Sequence, residues 1–347
     1  MIKSNSDKPV IQIMWHLNNE CNLQCRHCYI QNQSHVPVDR LQFQLQIIDR
    51  IIELQTHYNL IRVGILGGEP LLDPNIFTLI KQLKKLGVER VDIGTNATLI
   101  DDDCADRMNQ LGVKMVQVSL EGHTAAINDY VRGTGSFERS IRGLRNLRKC
   151  NIDVGIMTTV SRFNLQYIEN IAMMAESEGA KLVAFNRMLP MGKGKSGELV
   201  PLDGLEMRQM MSCIHSLNAS ISIEVTSDDP LLYVPMNEQQ YVPSSAFGGC
   251  GAGIGNLAIC HDGAVFPCRR LPIAVGNATC DSLIDIINSE KMNCFYNRPS
   301  FLKGLCGECE FQQICGGCRA SAYAWSGDHL GCDPQCWRTL TAQKGGE

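Results

Sequence analysis

The sequence lacks any long apolar run. No stretch reaches the roughly 18 to 20 consecutive apolar residues that a membrane-spanning helix requires. The first ten residues, MIKSNSDKPV, also lack the apolar segment on which a secretory signal peptide depends. We therefore expect a cytoplasmic protein with no membrane partner.

The sequence also lacks a large excess of either positive or negative charge. The chain has 32 Lys and Arg residues against 36 Asp and Glu residues, a formal net charge of −4. This balance argues against broad electrostatic capture of nucleic acid, so no nucleic-acid partner is expected. The composition, 44% hydrophobic and 20% charged, excludes a chain that is disordered throughout. A length of 347 residues suits two domains, or one large barrel with an appendage.

Cysteine, by contrast, is abundant. The chain has 17 cysteines, and eleven of them fall between Cys250 and Cys336. In a secreted domain such a cluster predicts disulfides, whereas in a cytosolic protein clustered cysteines more often bind metal or take part in redox chemistry. We therefore expect a metal or redox function for this region.

The first two thirds of the chain alternate short β-rich segments with amphipathic helical segments. Six such units in series predict an α/β fold, a partial (β/α)6 TIM-like barrel, in which the chemistry lies at the C-terminal ends of the strands. Beyond about residue 230 the sequence becomes loop-rich and then cysteine-rich, which predicts a barrel domain at 1–230 and a C-terminal cysteine-rich domain at 231–347. The predicted strands are 11–17, 61–66, 90–94, 114–120, 153–160 and 181–186, and the predicted helices are 39–54, 75–86, 101–111, 137–149, 165–178 and 202–217.

Three cysteines directly follow the first predicted strand. The segment CNLQCRHC spaces Cys21, Cys25 and Cys28 as C-x3-C-x2-C. Three thiolates can bind three irons of a four-iron cluster and leave the fourth iron open to another ligand. Four thiolates would instead occupy every iron, as in an electron carrier with no vacant position. The alternative, a zinc site, normally uses four ligands and two C-x2-C pairs. The spacing therefore favours an open [4Fe–4S] cluster, with His27 inside the loop as a packing or hydrogen-bonding residue.

This motif, followed by Tyr29 at the end of a first barrel strand, resembles the signature of the radical S-adenosylmethionine (SAM) enzymes. The resemblance implies that the open iron chelates the amino and carboxylate groups of SAM. An electron from the cluster then cleaves the sulfonium to a 5′-deoxyadenosyl radical, which abstracts hydrogen from the substrate. It also implies that Cys21, Cys25 and Cys28 are the catalytic cluster ligands. An external low-potential electron donor of the flavodoxin or ferredoxin kind is implied as a partner.

Further matches to this family lie at later strand ends. LGGEP, after the second predicted strand, is similar to the segment of this family that binds the methionyl amino group of SAM. Glycines let the backbone approach a ligand closely, and a carboxylate can accept a hydrogen bond from an ammonium group. Asn96, Ser119 and Arg132 follow later strands, although turn or helix-cap roles are equally good interpretations of each. The cofactor-binding residues implied are Tyr29, Gly67, Gly68, Glu69, Pro70, Asn96, Ser119 and Arg132.

The C-terminal cysteines resemble the SPASM extension of the same family, which holds two auxiliary iron–sulfur clusters. Cys250 is followed after twelve residues by Gly263 and after four more by Cys268. CGECEFQQICGGC and a last cysteine in DPQC complete the pattern, with one C-x2-C where C-x3-C is common. A zinc ribbon is the alternative. The resemblance implies three [4Fe–4S] clusters in all, the distal one on Cys306, Cys309, Cys315 and Cys336 and the proximal one on Cys250, Cys268 and Cys318.

The pattern leaves the fourth ligand of the proximal cluster open. Relatives often carry it a few residues after the first cysteine, where this chain has Gly255 and Asn256. Cys260 is the nearest candidate. Without it, the proximal cluster would have an open iron that could bind substrate.

The motifs indicate the type of reaction and not the substrate. Enzymes with this extension mostly modify peptides or protein side chains, so the leading hypothesis is a peptide or protein maturase that forms a crosslink or oxidises a side chain. A tetrapyrrole enzyme of a haem pathway is the alternative, and Arg269 and Arg270 would suit a carboxylate-rich substrate of either kind. A second alternative, a non-catalytic multi-cluster electron carrier, needs a complete ligand set for every cluster, which the three-cysteine loop does not provide.

Overall fold

The structure, a computed structural model, describes residues 8–30, 39–236 and 249–339. In sequence order its strands are β1 (Val10–His16), β2 (Asn59–Leu66), β3 (Val91–Thr95), β4 (Met115–Ser119), β5 (Asp153–Val160), β6 (Leu182–Arg187), β7 (Glu224–Thr226), β8 (Asn256–Ile259), β9 (Ala264–Phe266) and β10 (Gly276–Asn277). All ten join in one sheet of order β10-β9-β8-β1-β2-β3-β4-β5-β6-β7. Neighbours from β1 to β7 pair in parallel, as a series of βα units requires.

α-Helices follow most of the parallel strands, and further short ones lie in the cysteine-rich region after β10. They are α1 (Arg40–Glu53), α2 (Ile76–Lys85), α3 (Asp102–Gln110), α4 (Ala125–Arg132), α5 (Ser136–Lys149), α6 (Ile168–Ser177), α7 (Gly204–Ser220), α8 (Leu283–Ile287), α9 (Glu290–Tyr296), α10 (Gly304–Gly307) and α11 (Arg319–Ser326). Aspartates cap several of them. At the start of α3, for example, the side chain of Asp101 accepts a hydrogen bond from Cys104 N. In α7, Asp203 and Glu206 form a reciprocal capping box.

The core forms between the sheet and these helices. Ile13 and Trp15 of β1 are buried in the same cluster as Ile47 and Ile51 of α1. Alternate residues of a strand point to one face, and residues three or four apart on a helix share a side, so these apolar groups meet. Each large apolar side chain that is fully buried stabilises the fold by about 1.5–3 kcal/mol.

The predicted partial barrel is confirmed. The strand at Asp153–Val160 has the predicted bounds, and the other five predicted strands differ from the observed ones by one or two residues. The short helix α4 was not predicted. It occupies a polar segment in which a buried side chain, Asn128, accepts from Glu121 N at 2.9 Å.

The sheet continues from the barrel into the cysteine-rich region. Strand β8 pairs in parallel with β1, from Gln12 with Asn256 to Trp15 with Ile259, and β9 then pairs antiparallel with β8. Strands from both predicted domains therefore share one sheet, and the boundary between residues 230 and 231 stays a prediction. Within the described residues, no helix is both long and apolar enough to cross a membrane.

Candidate active site

The three cysteines of the C-x3-C-x2-C loop follow the end of β1. They line a common cavity of about 220 Å³, which also contacts the ends of the later parallel strands, where a barrel of this type places its chemistry. Of the residues predicted to bind the cofactor, six line the cavity, and Glu69 and Pro70 are not part of its wall. The six are Tyr29, Gly67, Gly68, Asn96, Ser119 and Arg132.

Gly67 and Gly68 pack the end of β2 against the chain that leads into the cysteine loop. Gly68 N donates to Asn18 O over 3.0 Å, and Glu69 N donates to Glu20 O over 2.7 Å. A Cβ on Gly68 would lie 2.1 Å from the Glu20 carbonyl oxygen, and one on Gly67 would lie 2.6 Å from Asn18 Oδ1. Only glycine allows this close approach of the two segments.

We expect Gly68→Ala to weaken SAM binding by about tenfold or more, because overpacking such a contact costs about 1–3 kcal/mol. The added methyl group has to displace Glu20 and with it Cys21. Anaerobic equilibrium binding of SAM, with iron content measured on the same sample, checks the result. Gly331→Ala is the matched control, since its new Cβ would meet nothing closer than 3.3 Å. Wild-type affinity in Gly68→Ala would contradict the packing argument.

Glu69 is fully buried, and its carboxylate accepts three hydrogen bonds from the protein. Thr95 Oγ1 donates over 2.6 Å and Leu71 N over 3.1 Å to Oε1, while Asn96 N donates over 2.8 Å to Oε2. Burial raises the pKa of the Glu69 carboxyl, and these hydrogen bonds oppose the rise. Glu69 therefore joins the ends of β2 and β3, and its role toward the methionyl amino group stays a prediction.

Glu121, just after β4, organises the other side of the cysteine loop. Its buried carboxylate accepts from Arg132 Nη2 over 2.6 Å and lies 2.7 Å from His27 Nε2. Burial disfavours the ionised form of Glu121, but the charges of His27 and Arg132 outweigh it and lower the pKa to about 2. Arg132 Nη1 also lies 3.9 Å from Cys25 Sγ, so a guanidinium stands beside a predicted cluster ligand.

The thiols and their surroundings fit a bound iron–sulfur cluster. Burial raises the pKa of the Cys25 thiol to about 11, although Arg132 opposes the rise, so loading the cluster has to release a proton. Asn96 Nδ2 lies 3.9 Å from Cys21 Sγ and donates to Asn22 Oδ1 over 2.8 Å, which holds the start of the loop. As placed, no three Cys, His, Asp or Glu side chains among the described residues stand in a metal-binding arrangement. The ligand assignments stay predictions.

Two arginines from the cysteine-rich region also line the cavity. Arg269 and Arg270 follow β9, yet both belong to the same wall as the cysteine loop. Arg269 Nη2 donates to Asp228 Oδ2 over 3.4 Å, and Arg270 Nη1 donates to Arg187 O over 3.4 Å. These contacts join the segment after β9 to the ends of β6 and β7. The segment is thereby held against the C-terminal ends of these two strands.

Arg187, the last residue of β6, is fully buried between two carboxylates. Its Nε and Nη2 donate to Asp229 over 2.5 Å each, and its Nη1 donates to Asp333 Oδ1 over 2.8 Å. Asp333 belongs to the segment of the final predicted cluster cysteine, and its Oδ2 accepts from Cys318 N over 2.9 Å. One buried guanidinium thus connects the barrel to the cysteine-rich region.

The four cysteines predicted for the distal cluster surround a second cavity of about 490 Å³. The buried guanidinium of Arg319 lies beside it, with Nη2 3.7 Å from Cys306 Sγ. Four thiolates carry negative charge, and Arg319 forms no ion pair with a carboxylate among the residues that the structure describes, so a cavity walled by these cysteines fits an iron–sulfur cluster. The cavity-lining cysteines are Cys306, Cys309, Cys315 and Cys336.

The cysteines predicted for the proximal cluster separate into two places. Cys250 and Cys268 interact electrostatically, and Arg270 interacts with both Cys268 and Cys318. Cys260 lies instead at the tip of the β8–β9 hairpin. Counting on from the observed pairs of β8 and β9 matches Cys268 with Asn256, the first residue of β8. Cys260 is four residues after Asn256, which is roughly 13 Å at the rise per residue of a strand. This count puts Cys260 and Cys268 at different levels of the hairpin, and Cys260 as the fourth ligand stays a prediction.

Sequence reasoning missed the ion-pair network behind the loop. The hydrogen-bonding role expected of His27 is confirmed, but the sequence motifs assign no role to its partner Glu121. Glu121 could have been found from its position, because it is an acidic residue at the C-terminal end of a barrel strand, where charged groups usually have a function. Arg187, Asp229 and Asp333 carried no motif and were not identified at all.

A partial barrel with a three-cysteine loop at its strand ends, joined to a cysteine-lined cavity, defines an iron–sulfur enzyme. The profile of the Radical SAM superfamily matches residues 15–175, and that of the SPASM iron–sulfur cluster-binding domain matches residues 250–310. An AdoMet-dependent heme synthase from Methanosarcina barkeri is 31% identical over 340 residues, covering 93% of this chain and 95% of that protein. The chain therefore belongs to the radical SAM superfamily and has a SPASM domain.

Other comparisons agree with this membership. A mycofactocin maturase, MftC, from Mycobacterium ulcerans is 31% identical over 351 residues, covering 95% of this chain and 88% of that protein. The crystal structure of SuiB from Streptococcus suis superposes with a TM-score of 0.76 at 17% identity, covering 95% of this chain and 77% of SuiB. The structure of anSMEcpe with bound AdoMet gives a TM-score of 0.72 at 18% identity, covering 97% and 95%. These likenesses confirm the fold.

Family membership also confirms the expected cofactors. A radical SAM enzyme binds SAM and a [4Fe–4S] cluster, and the SPASM domain binds auxiliary clusters. It also rules against the alternative of an electron carrier without catalysis.

Proposed function

We propose that this enzyme abstracts a hydrogen atom from a tetrapyrrole that bears carboxylate side chains. The observation that carries the proposal is the position of Arg269 and Arg270 in the same cavity wall as the cysteine loop. The planar guanidinium binds a carboxylate through two parallel hydrogen bonds. Two such groups side by side support a substrate that presents more than one carboxylate.

The existing contacts of these arginines leave them available to a substrate. The partner of Arg269, Asp228, has a side chain that is 61% exposed and lies 3.4 Å away. An exposed pair of this kind is worth about 0–1 kcal/mol, so a substrate carboxylate can replace it at little cost. Arg270 donates to a backbone carbonyl, that of Arg187.

The residues around the loop prepare the site for the reaction. When bound, the cluster and SAM supply the 5′-deoxyadenosyl radical that takes the hydrogen atom. Glu121 holds Arg132 beside Cys25. Gly67 and Gly68 bring the end of β2 against the loop. The arginines after β9 orient the substrate, so that one of its carbons faces the radical.

The relatives support a tetrapyrrole substrate. The M. barkeri protein that matches this chain across 95% of its own length is named as a heme synthase. Two further relatives are named pre-heme d1 synthase, 26% identical, and Fe-coproporphyrin III synthase, 27% identical. All three names refer to tetrapyrroles.

A peptide or protein substrate, the leading hypothesis from sequence, is the second candidate. Its support is the similarity to MftC, a named maturase, at the same 31% identity. An acidic peptide would also suit Arg269 and Arg270, so the arginines alone do not separate the two substrate classes.

We expect the double variant Arg269→Gln/Arg270→Gln to bind an iron porphyrin with four carboxylates at least about 100-fold more weakly than the wild type. Each lost charge-assisted hydrogen bond contributes about 1.5–3 kcal/mol. SAM cleavage without substrate should be unchanged, because in the described part of the chain the side chains of the two arginines hydrogen-bond to Asp228 and to Arg187 O, respectively, and neither forms a hydrogen bond to Cys21, Cys25 or Cys28. Anaerobic absorbance titration gives the affinity, and 5′-deoxyadenosine formation under dithionite gives the cleavage rate.

Arg162→Gln is the matched control, since Arg162 is exposed and pairs with Asp203 and Glu206 on the surface. It should bind the porphyrin as the wild type does. If the wild type does not bind the porphyrin, and deuterium from a labelled acidic peptide enters 5′-deoxyadenosine, the second candidate is correct.

A further inference from the structure

The backbone around Cys250 connects this cysteine to the segment that holds Cys318 and to the first residue of β8. Backbone N–H groups of Arg319 and Ala252 donate to the Cys250 thiol, and Cys250 N donates to Cys315 O over 3.1 Å. Ala252 in turn forms a parallel bridge with Asn256. The first residue of β8 therefore lies next to the turn that positions Cys250.

The register of the hairpin brings Asn256 to the level of Cys268. Ala258 pairs with Phe266 and Ile259 with Val265. Counting two residues on from Phe266, where β9 ends, matches Cys268 with Asn256. Residues directly opposite each other on antiparallel strands share a face, with Cβ atoms about 4.5–5.5 Å apart. This count assigns the side chains of Asn256 and Cys268 to the same side of the hairpin.

Asn256 Oδ1 is buried and accepts no hydrogen bond from any residue that the structure describes. A buried amide oxygen is nearly always paired, and one left over needs an explanation, such as an ion that it binds. Here the unpaired oxygen belongs to a residue that bridges to Ala252, two positions from Cys250, and that the strand pairing matches with Cys268, whereas Cys260 is at the tip of the hairpin.

We propose that Asn256 Oδ1 is the fourth protein ligand of the proximal auxiliary cluster, with Cys250, Cys268 and Cys318 as the other three, and that Cys260 is not a ligand. An amide oxygen is neutral, whereas a fourth thiolate would add one negative charge. Net charge and ligand type set the reduction potential of such clusters, as when histidines replace cysteines and raise it. The proximal cluster should therefore have a higher reduction potential than a cluster with four cysteine ligands.

The test uses the full-length Cys21/Cys25/Cys28→Ala chain, loaded with iron and sulfide, so that only auxiliary clusters contribute to the spectra. Asn256→Cys, Asn256→Ala and Cys260→Ser are introduced separately. Iron content, electron paramagnetic resonance spectra and spectroscopically monitored redox titrations are measured for each. Asn256→Cys should keep the iron content, change the spectrum of one cluster and move its potential to a more negative value.

Asn256→Ala should also change the spectrum of that one cluster, whereas Cys260→Ser should leave iron content, spectrum and potential as they are. Circular dichroism on the same samples verifies that the variants are folded. Unchanged spectra and potentials in both Asn256 variants would overturn the proposal. Loss of about four irons in Cys260→Ser would overturn it as well, and would assign the fourth position to Cys260. The proposal is independent of the substrate, since no substrate is present in the test.

Discussion

Replacing Cys21, Cys25 and Cys28 together with Ala is expected to remove about four irons per chain and to abolish the reductive cleavage of SAM. The three thiols are the only cysteines in the wall of the barrel cavity within the described part of the chain. Without them the cluster that cleaves SAM has no protein ligands, while the cysteines of the SPASM domain are untouched. Iron and sulfide analysis, electron paramagnetic resonance with and without SAM, and assay of 5′-deoxyadenosine measure the effect.

A control with the same number of substitutions is available. Cys104, Cys150 and Cys213 lie on or next to barrel helices and away from both cavities. Their replacement by Ala should leave iron content and SAM cleavage as in the wild type. Continued SAM cleavage in the variant without Cys21, Cys25 and Cys28 would remove the assignment of these residues as cluster ligands.

Arg187→Leu is expected to lower the free energy of unfolding by about 3–5 kcal/mol, the usual effect of removing one partner from a buried ion pair. Arg187, Asp229 and Asp333 are all fully buried, so the substitution leaves two carboxylates without their cation in a place that water does not reach. Leucine is the choice because it keeps much of the side-chain volume, and the measured change then reports the lost charge.

Denaturant unfolding under anaerobic conditions, followed by tryptophan fluorescence, measures this change. The control is Arg145→Leu, which breaks a pair with Glu178 in which the arginine side chain is 61% exposed, and should cost less than about 1 kcal/mol. Equal stability losses in the two variants would show that the buried triad contributes no more than a surface pair. Arg187→Lys should recover only part of the loss, since an ammonium group does not form the two parallel bonds to Asp229.

The barrel strands are predictable from the sequence because their apolar residues alternate and their ends carry turn residues. Asp153–Val160 follows directly from this pattern. The short strands of the cysteine-rich region are not predictable in this way. Strand β10 has two residues, Gly276 and Asn277, and exists because β9 offers it a partner. Local sequence says little about an element that depends on a neighbour.

The same division applies to the site. The cysteine loop and LGGEP are predictable because each concentrates its chemistry in a few consecutive residues. The pairing of His27 with Glu121 is not, since it joins residues 94 positions apart, and the fold alone brings them together. The position of Cys260 at the tip of the β8–β9 hairpin likewise follows from the strand pairing, which the spacing of the cysteines in the sequence does not reveal.

The pairing of β8 with β1 has a consequence for the order in which this chain acquires its structure. Synthesis from the N-terminus produces β1 and β2 early, whereas the other neighbour of β1 comes after most of the chain has been made. Until then the nascent barrel exposes an unpaired strand edge, which can pair with edges of other chains. Contacts between such distant parts of a sequence also form slowly. The earliest strand of the barrel thus waits for its last partner until late in synthesis, and its open edge is a site for aggregation during that interval.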